Sequence, residues 1–255
     1  MIFLKSLEEI EIMRAANRIV AETLSELRGC VRPGVSTGEL DGIAGEWIAK
    51  KKAKTAFKGY TIRNGSVPFP AHICISLNNE VVHGIPSHQR IIQDGDVVSL
   101  DFGVVYDGFY GDAAVSFAVG EVDPSVQQLL KTTTAALEAG ICHACVGNRL
   151  GDISAAVQGH VERNGFSVVR EFVGHGVGRR LHEDPPVPNY GVRNRGVRLR
   201  EGMVIAIEPM VNMGVPEVTM LEDGWTAVTK DGSLSAHFEH SVAILTDGPL
   251  VLSKM

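Results

Sequence analysis

The chain lacks three things that would each have set its class. It has no excess of positive charge: 24 Lys and Arg stand against 30 Asp and Glu, a formal charge of −6 over 255 residues, so the basic footprint that nucleic-acid phosphates require is missing. It has no long apolar run, because the strongest, 203–207 and 241–245, fall far short of the ~20 residues of a membrane-spanning helix. The opening Met-Ile-Phe-Leu-Lys-Ser passes straight into an acidic helical pattern and reads as neither signal peptide, transit peptide nor anchor. It also has no cysteine framework. Cys30, Cys74, Cys142 and Cys145 fit reduced thiols in a cytoplasmic protein, and Cys142-His143-Ala144-Cys145 is a lone C-x-x-C without the second pair or βαβ context that a zinc or redox role needs. No low-complexity tract, linker or repeat divides the chain, and 44% hydrophobic residues is ordinary globular usage.

What is present begins with helix signals. Ser6-Leu7-Glu8-Glu9 is a capping box, and Leu7, Ile10, Met13, Val20, Leu24 and Leu27 recur at helical intervals, which predicts a helix over about 7–28 closed by Gly29. After Pro33-Gly34, the run Ser36-Thr37-Gly38-Glu39 repeats the box ahead of a second amphipathic face at Leu40, Ile43, Trp47 and Ile48. Gly34-Val35-Ser36-Thr37-Gly38 is formally a G-x-S-x-G, but no strand precedes it, so Ser36 is expected to cap a helix and not to act as a nucleophile. From Ile73 the pattern turns to strands, at 73–77 and at 97–105 and 109–119 on either side of Asp107-Gly108. Helices follow from Asp123-Pro124 to about 138 and over 152–164, then strand-like runs at 167–173, 203–207, 225–229 and 237–245. This order predicts an α+β fold with helices covering one side of a largely antiparallel sheet.

Three groups of residues could carry chemistry. A two-residue loop at 107–108 makes cross-strand partners sum to 215, so Asp112 faces Gly103 and lies diagonal to Asp101 on the same side, within the ~7–8 Å of such pairs. Two carboxylates aimed at one point repel unless a cation lies between them, and Gly103 leaves room for one. The other reading, two solvated aspartates on an exposed face, is weakened by the depletion of Asp in strands. Gly174-His175-Gly176-Val177-Gly178 follows the strand pattern ending at Val173, with His182 seven residues on; a histidine between glycines at a strand end sits where a ligand can be approached closely. The dinucleotide spacing G-x-G-x-x-G is absent there. Glu208, after Val204-Ile205-Ala206-Ile207, and Glu239, within 237–244, are carboxylates in apolar strands, where an unpaired charge is costly. Asp101, Asp112, Glu208 and Glu239 with His175 make an oxygen-rich set with one nitrogen, too acidic for a structural zinc and suited to two divalent ions.

The same residues carry a family likeness. Phe172-Val173-Gly174-His175-Gly176-Val177-Gly178 with His182, Val187 and Asn189-Tyr190, and the blocks Cys74–Asn78, Val82–Pro86, Asp107–Asp112, Ile207–Met210 and Asp223–His240, resemble the type I methionine aminopeptidases of the pita-bread metallopeptidase fold. The resemblance spans essentially the whole chain. It implies one catalytic domain over 1–255 with pseudo-two-fold halves and no N-terminal extension domain. It further implies that Asp112 and Glu239 bridge two divalent ions (Co, Mn, Fe, Ni or Zn), that Asp101 completes one and that His175 with Glu208 completes the other. The nucleophile would be a water or hydroxide bridging them, and Glu208 the proton shuttle. His83 and His182 correspond to the family's non-ligand site histidines, facing the reacting amide and the developing oxyanion. Tyr60, Phe69, Cys74, Leu181 and Trp225 match the methionine pocket.

The substrates implied are nascent polypeptides with an initiator methionine and a small second residue, met by a cytoplasmic monomer that docks on the ribosome surface. Between Tyr60 and Phe69 this chain carries a longer segment, 61–68, than the family pattern; it reads as a surface insertion or as a lid beside the pocket. The alternatives are an Xaa-Pro aminopeptidase or prolidase, expected to carry a large N-terminal domain, and a catalytically inactive pita-bread protein, expected to have lost ligands.

Overall fold

In the computed structural model of the chain, residues 1–61 and 67–254 are described, so most of the 61–68 segment lies outside the described residues. Helices α1 (Leu7–Cys30) and α2 (Thr37–Lys50) lead to β1 (Lys54–Thr55), β2 (Cys74–Leu77), β3 (Glu80–Val82) and the long hairpin β4 (Val97–Tyr106) and β5 (Phe109–Ala118). A second helix pair, α3 (Pro124–Cys142) and α4 (Leu150–Arg163), is followed by β6 (Ser167–Val168), β7 (Gly174–Gly176), β8 (Glu183–Val187), β9 (Val204–Ile207) and β10 (Met210–Asn212). The chain closes with β11 (Val218–Met220), β12 (Ala227–Thr229), β13 (Ser235–His237), β14 (Glu239–Leu245) and β15 (Gly248–Val251).

Both capping boxes form: Ser6 and Ser36 each accept the N3 amide while Glu9 and Glu39 reach back to the cap. Ser36 is therefore a cap. Gly29 does not end the first helix, which continues to Cys30 and stops where Val31 turns extended. The fourth helix starts two residues before Asp152, because Asp152 is its N3 residue and its carboxylate accepts the Arg149 N–H at 2.7 Å.

The main sheet runs β1-β4-β5-β14-β9-β7-β8, with β2 added on β4 and β15 on β14, and all its pairings are antiparallel. Alternation along β4 and β5 sorts their side chains. Leu100, Phe102, Val104, Ala113, Val115 and Phe117 pack with Val20, Leu24 and Leu27 of α1 and Leu40 and Ala44 of α2 in one core. The other half repeats the arrangement, with Leu137 of α3 and Leu150 and Ile153 of α4 packed on Ile205 and Ile207 of β9 and Val242 and Ile244 of β14. The helices thus cover one face of the sheet in two halves, and the opposite face is free to hold a site. Approach of α1 to β5 is close enough to need a glycine: a Cβ at Gly111 would lie 2.7 Å from the Ala16 carbonyl carbon. None of the helices among the described residues is long and apolar enough to cross a membrane.

Candidate active site

The hairpin register is the one the two-residue turn dictates, pairing Gly103 with Asp112 and Asp101 with Ala114. Odd-numbered β4 positions 101 and 103 and even-numbered β5 positions 112 and 114 therefore face away from the helices. Ala114 also pairs with Glu239 of β14, so Asp101, Ala114 and Glu239 form a row across three strands. One pair further along, β14 joins β9 through His240 and Ile207, which brings Glu208, the next residue, beside Glu239. β7 lies on the far side of β9, with Gly176 opposite Ile205, and contributes His175. Asp112 is braced through its backbone, its N–H donating to Asn17 Oδ1 at 3.2 Å and its carbonyl accepting Ser241 Oγ at 2.9 Å.

Ligand atoms of Asp112, His175 and Glu239, all three buried, lie within 4.8 Å of one another. His175 Nε2 stands 3.8 Å from Asp112 Oδ2 and 3.5 Å from Glu208 Oε1. Its Nδ1 is 2.9 Å from the Gly176 carbonyl; a carbonyl only accepts, so Nδ1 carries the proton and Nε2 presents a lone pair to the acids. Asp101 and Glu208 line the same cavity of about 370 Å³. All five expected ligands therefore come together, with Asp101 and Glu208 flanking the tighter group of three.

Electrostatically the cluster is unfavourable on its own. Burial raises the Asp101 carboxyl to about 7. Burial, reinforced by the neighbouring carboxylates, drives Asp112, Glu208 and Glu239 well above their ordinary range. Burial also pushes the His175 imidazole down to about 3, keeping it neutral. Asp112 Oδ1 and Glu239 Oε1 are buried with no hydrogen-bond partner. Orphaned carboxylate oxygens beside a neutral imidazole, with converging acids that repel one another, fit a divalent cation. Gly103 keeps the space clear, since a Cβ there would come within 3.2 Å of Asp112 Oδ1 and 2.9 Å of Phe57 Cε1.

An apolar pocket adjoins these acids. Phe57, Phe69, Ala71, Cys74, Leu181 and Trp225 form one buried cluster with Tyr60 packed against it. Phe69 meets Trp225 edge-on at 5.2 Å, and the indole N–H donates to the Val67 carbonyl at 2.9 Å. Cys74 pairs with Asp101 across β2 and β4, so the pocket floor abuts the acids directly. All five expected pocket residues line the cavity.

The two expected histidines flank this junction. His83 holds a left-handed backbone with φ of 61°, its ring edge-on to Phe172 at 5.4 Å and to Trp225 at 6.0 Å. Burial lowers its imidazole to about 4. His182 sits at the mouth, its ring 4.3 Å from that of His175 and its Nδ1 2.6 Å from the Tyr60 hydroxyl. Its outer edge meets solvent, yet the walls around it desolvate the ring enough to hold its pKa below the usual value.

Sequence reasoning passed over His237 as a site residue. It lines the cavity with Nε2 3.7 Å from Glu208 Oε2 and no hydrogen-bond partner, and its backbone N–H and carbonyl are both tied to Ser116 Oγ. The available signal was its place two residues before Glu239, the spacing that puts side chains on one face of a strand. Phe172, Val82 and Met210 also line the cavity without having been singled out as pocket residues. The four cysteines are free thiols; Cys142, which is exposed, is the last residue of α3, and Cys145 lies just beyond it.

The buried acids and the neutral imidazole open onto an apolar pocket. Residues 11–246 match metallopeptidase family M24, and the chain belongs to that family. Within it, the chain is 53% identical over 253 residues to the methionine aminopeptidase of Clostridium perfringens, with 99% of each covered. The crystal structure of the methionine aminopeptidase of Thermotoga maritima superposes with a TM-score of 0.96 at 47% identity, covering 100% of both chains. The prolidase of Pyrococcus furiosus shares the fold, at 21% identity and a TM-score of 0.78 over 99% of this chain and 65% of that one. Family and cluster together make this an enzyme that uses divalent metal.

Proposed function

We propose that the chain is a methionine aminopeptidase that removes the initiator methionine from nascent polypeptides whose second residue is small, with 1–255 as one catalytic domain. The observation that carries this reading is the junction of the acid cluster with the apolar pocket, where Cys74 of the pocket wall is the strand partner of Asp101. A thioether side chain suits such a wall of aromatic rings and a thiol. The two methionine aminopeptidases named above are about half identical over their full length, and the presence of all five ligand residues speaks against an inactive pita-bread protein.

Asp101, Asp112, His175, Glu208 and Glu239 would hold two divalent ions. When bound, such ions polarise the scissile carbonyl and lower the pKa of coordinated water. The chain's residues supply the rest. Trp225, Phe69, Leu181, Cys74 and Tyr60 take the methionine side chain and exclude water from it. Glu208, as a carboxylate at the flank of the group of three, would take a proton from water and pass it to the leaving amine. His83, neutral and fixed by the rings around it, faces the reacting amide nitrogen. His182 lies where negative charge develops on the carbonyl oxygen.

A cytoplasmic, monomeric enzyme docking on the ribosome surface belongs to the same reading. The exposed Arg193, Arg195, Arg198 and Arg200 give an otherwise acidic chain a basic edge suited to such docking. The test is hydrolysis of a Met-Gly-containing tripeptide after chelation and re-addition of Mn, Fe or Co. Restoration by at least one metal is expected; failure of every metal with the protein folded overturns the catalytic reading.

A further inference from the structure

Lys5 lies ahead of the matched span 11–246, yet it is drawn into the protein. Its backbone N–H donates to the Gly202 carbonyl at 2.7 Å. Its ammonium reaches Glu183 Oε2 at 2.6 Å, with both side chains only 5% exposed, and also contacts the Phe3 carbonyl at 3.1 Å. The second oxygen of Glu183 faces the other way and accepts the N–H groups of Arg179 and Arg180 at 2.8 and 3.2 Å. One carboxylate thus ties the 179–183 loop to itself with one oxygen and to the N-terminal segment with the other. Gly178 closes the arrangement, because a Cβ there would lie 2.5 Å from Lys5 Cε and 2.7 Å from Glu183 Oε1. The last glycine of the Gly174–Gly178 motif therefore serves this clamp and not the acid cluster.

A buried ion pair adds little net stability, since desolvation offsets the attraction, but its geometry is demanding. The residues this pair fixes are site residues. His182 immediately precedes Glu183, and Leu181 belongs to the apolar pocket. The N-terminal segment also reaches the mouth itself, where Phe3 with His175, His182 and Glu183 lines a groove of about 500 Å³.

We propose that Lys5 is a positioning residue for the peptidase reaction: through Glu183 it holds the 178–183 loop so that His182 stays against His175 at the cavity mouth. This rests on the aminopeptidase reading above, and the test separates the two. Lys5→Met keeps the aliphatic stem and removes the ammonium, while Lys5→Arg restores a cation. In the full chain loaded with Mn, Lys5→Met should lower kcat on a Met-Gly-containing tripeptide tenfold or more. Mn affinity measured by calorimetry should change less than twofold, and Lys5→Arg should recover a substantial share of the rate.

In a His182→Ala background, Lys5→Met should cost nothing further, because its effect is routed through that ring. The NMR resonances of the His182 imidazole should shift in Lys5→Met while those of His83 stay in place, a readout that needs no activity. Absence of cleavage by the wild-type chain would overturn the aminopeptidase reading and leave the NMR comparison to decide the clamp. Wild-type kcat in Lys5→Met, a full additional loss on top of His182→Ala, or an unmoved His182 resonance would each overturn the positioning role. If Lys5→Met does not fold, Lys5→Met/Glu183→Gln removes both charges together and is held to the same outcomes.

Discussion

Asp101→Asn tests the electrostatics of the acid cluster through folding stability. Burial raises the folded-state pKa of this carboxyl from 3.8 to about 7, so between those values the folded chain holds a proton that the unfolded chain has released. Stability falls as pH rises wherever the native state binds more protons, by about 1.36 kcal/mol per proton per pH unit. Across pH 5 to 7 in the presence of a chelator, Asp101 alone accounts for a loss of about 2–3 kcal/mol, already fully incurred above pH 7. Asp112, Glu208 and Glu239 shift in the same direction and steepen the slope. Asparagine at 101 has no proton to lose, so in urea unfolding with EDTA the pH slope of Asp101→Asn should be less negative than that of the wild type by about one proton's worth. With divalent metal in excess the wild-type slope should turn more positive than in EDTA, because metal competes with those protons and binds more tightly as pH rises. Parallel slopes for wild type and variant in EDTA would refute the account of why these acids need a cation; the buried histidines His83, His175 and His237, with lowered pKa values, add an opposite slope that is common to both chains and cancels in the comparison.

Two other outcomes follow from the packing. Gly103→Ala would place a methyl group 3.2 Å from Asp112 Oδ1 and 2.9 Å from Phe57 Cε1; calorimetric metal titration should show weakened binding, and thermal unfolding a cost of about 1–3 kcal/mol from overpacking. Cys74 is buried, and desolvation together with the nearby Asp101 raises its thiol pKa, so brief iodoacetamide treatment of the folded chain at pH 7.5 should alkylate the exposed Cys142 well before Cys74 by peptide mass mapping.

Much of this was legible in the sequence because it is set locally. The capping boxes at Ser6 and Ser36 use residues three apart, and both formed. The 107–108 turn dictates the register of its own hairpin, so the relation of Asp101, Gly103 and Asp112 followed from counting. Less was legible where strands are short and their partners distant. The run 167–173 yields a strand only at 167–168, and β10 and β11 were not distinguished, because two- and three-residue strands carry too little alternation to read. The 225–229 run begins pairing only at Ala227, since the Trp225 and Thr226 N–H groups are taken by Asp223 Oδ1 at 2.8 Å.

By itself the sequence determined the chemical inventory and its local presentation: four acids in apolar strands, a histidine between glycines, and a hairpin that aims two aspartates one way. Its ordered motifs carried the family resemblance as well. What only the tertiary structure decided is convergence. Glu239 meets Asp101 and Asp112 because β14 lies between β5 and β9, a pairing across more than a hundred residues that no local pattern specifies. The same long-range assembly turned His237 toward Glu208, laid the pocket wall at Cys74 against Asp101, and buried Lys5 on Glu183. Periodicity and turn chemistry act over a few residues, whereas burial of the two helix-covered cores selects which distant strands become neighbours, and the site lies where those neighbours meet.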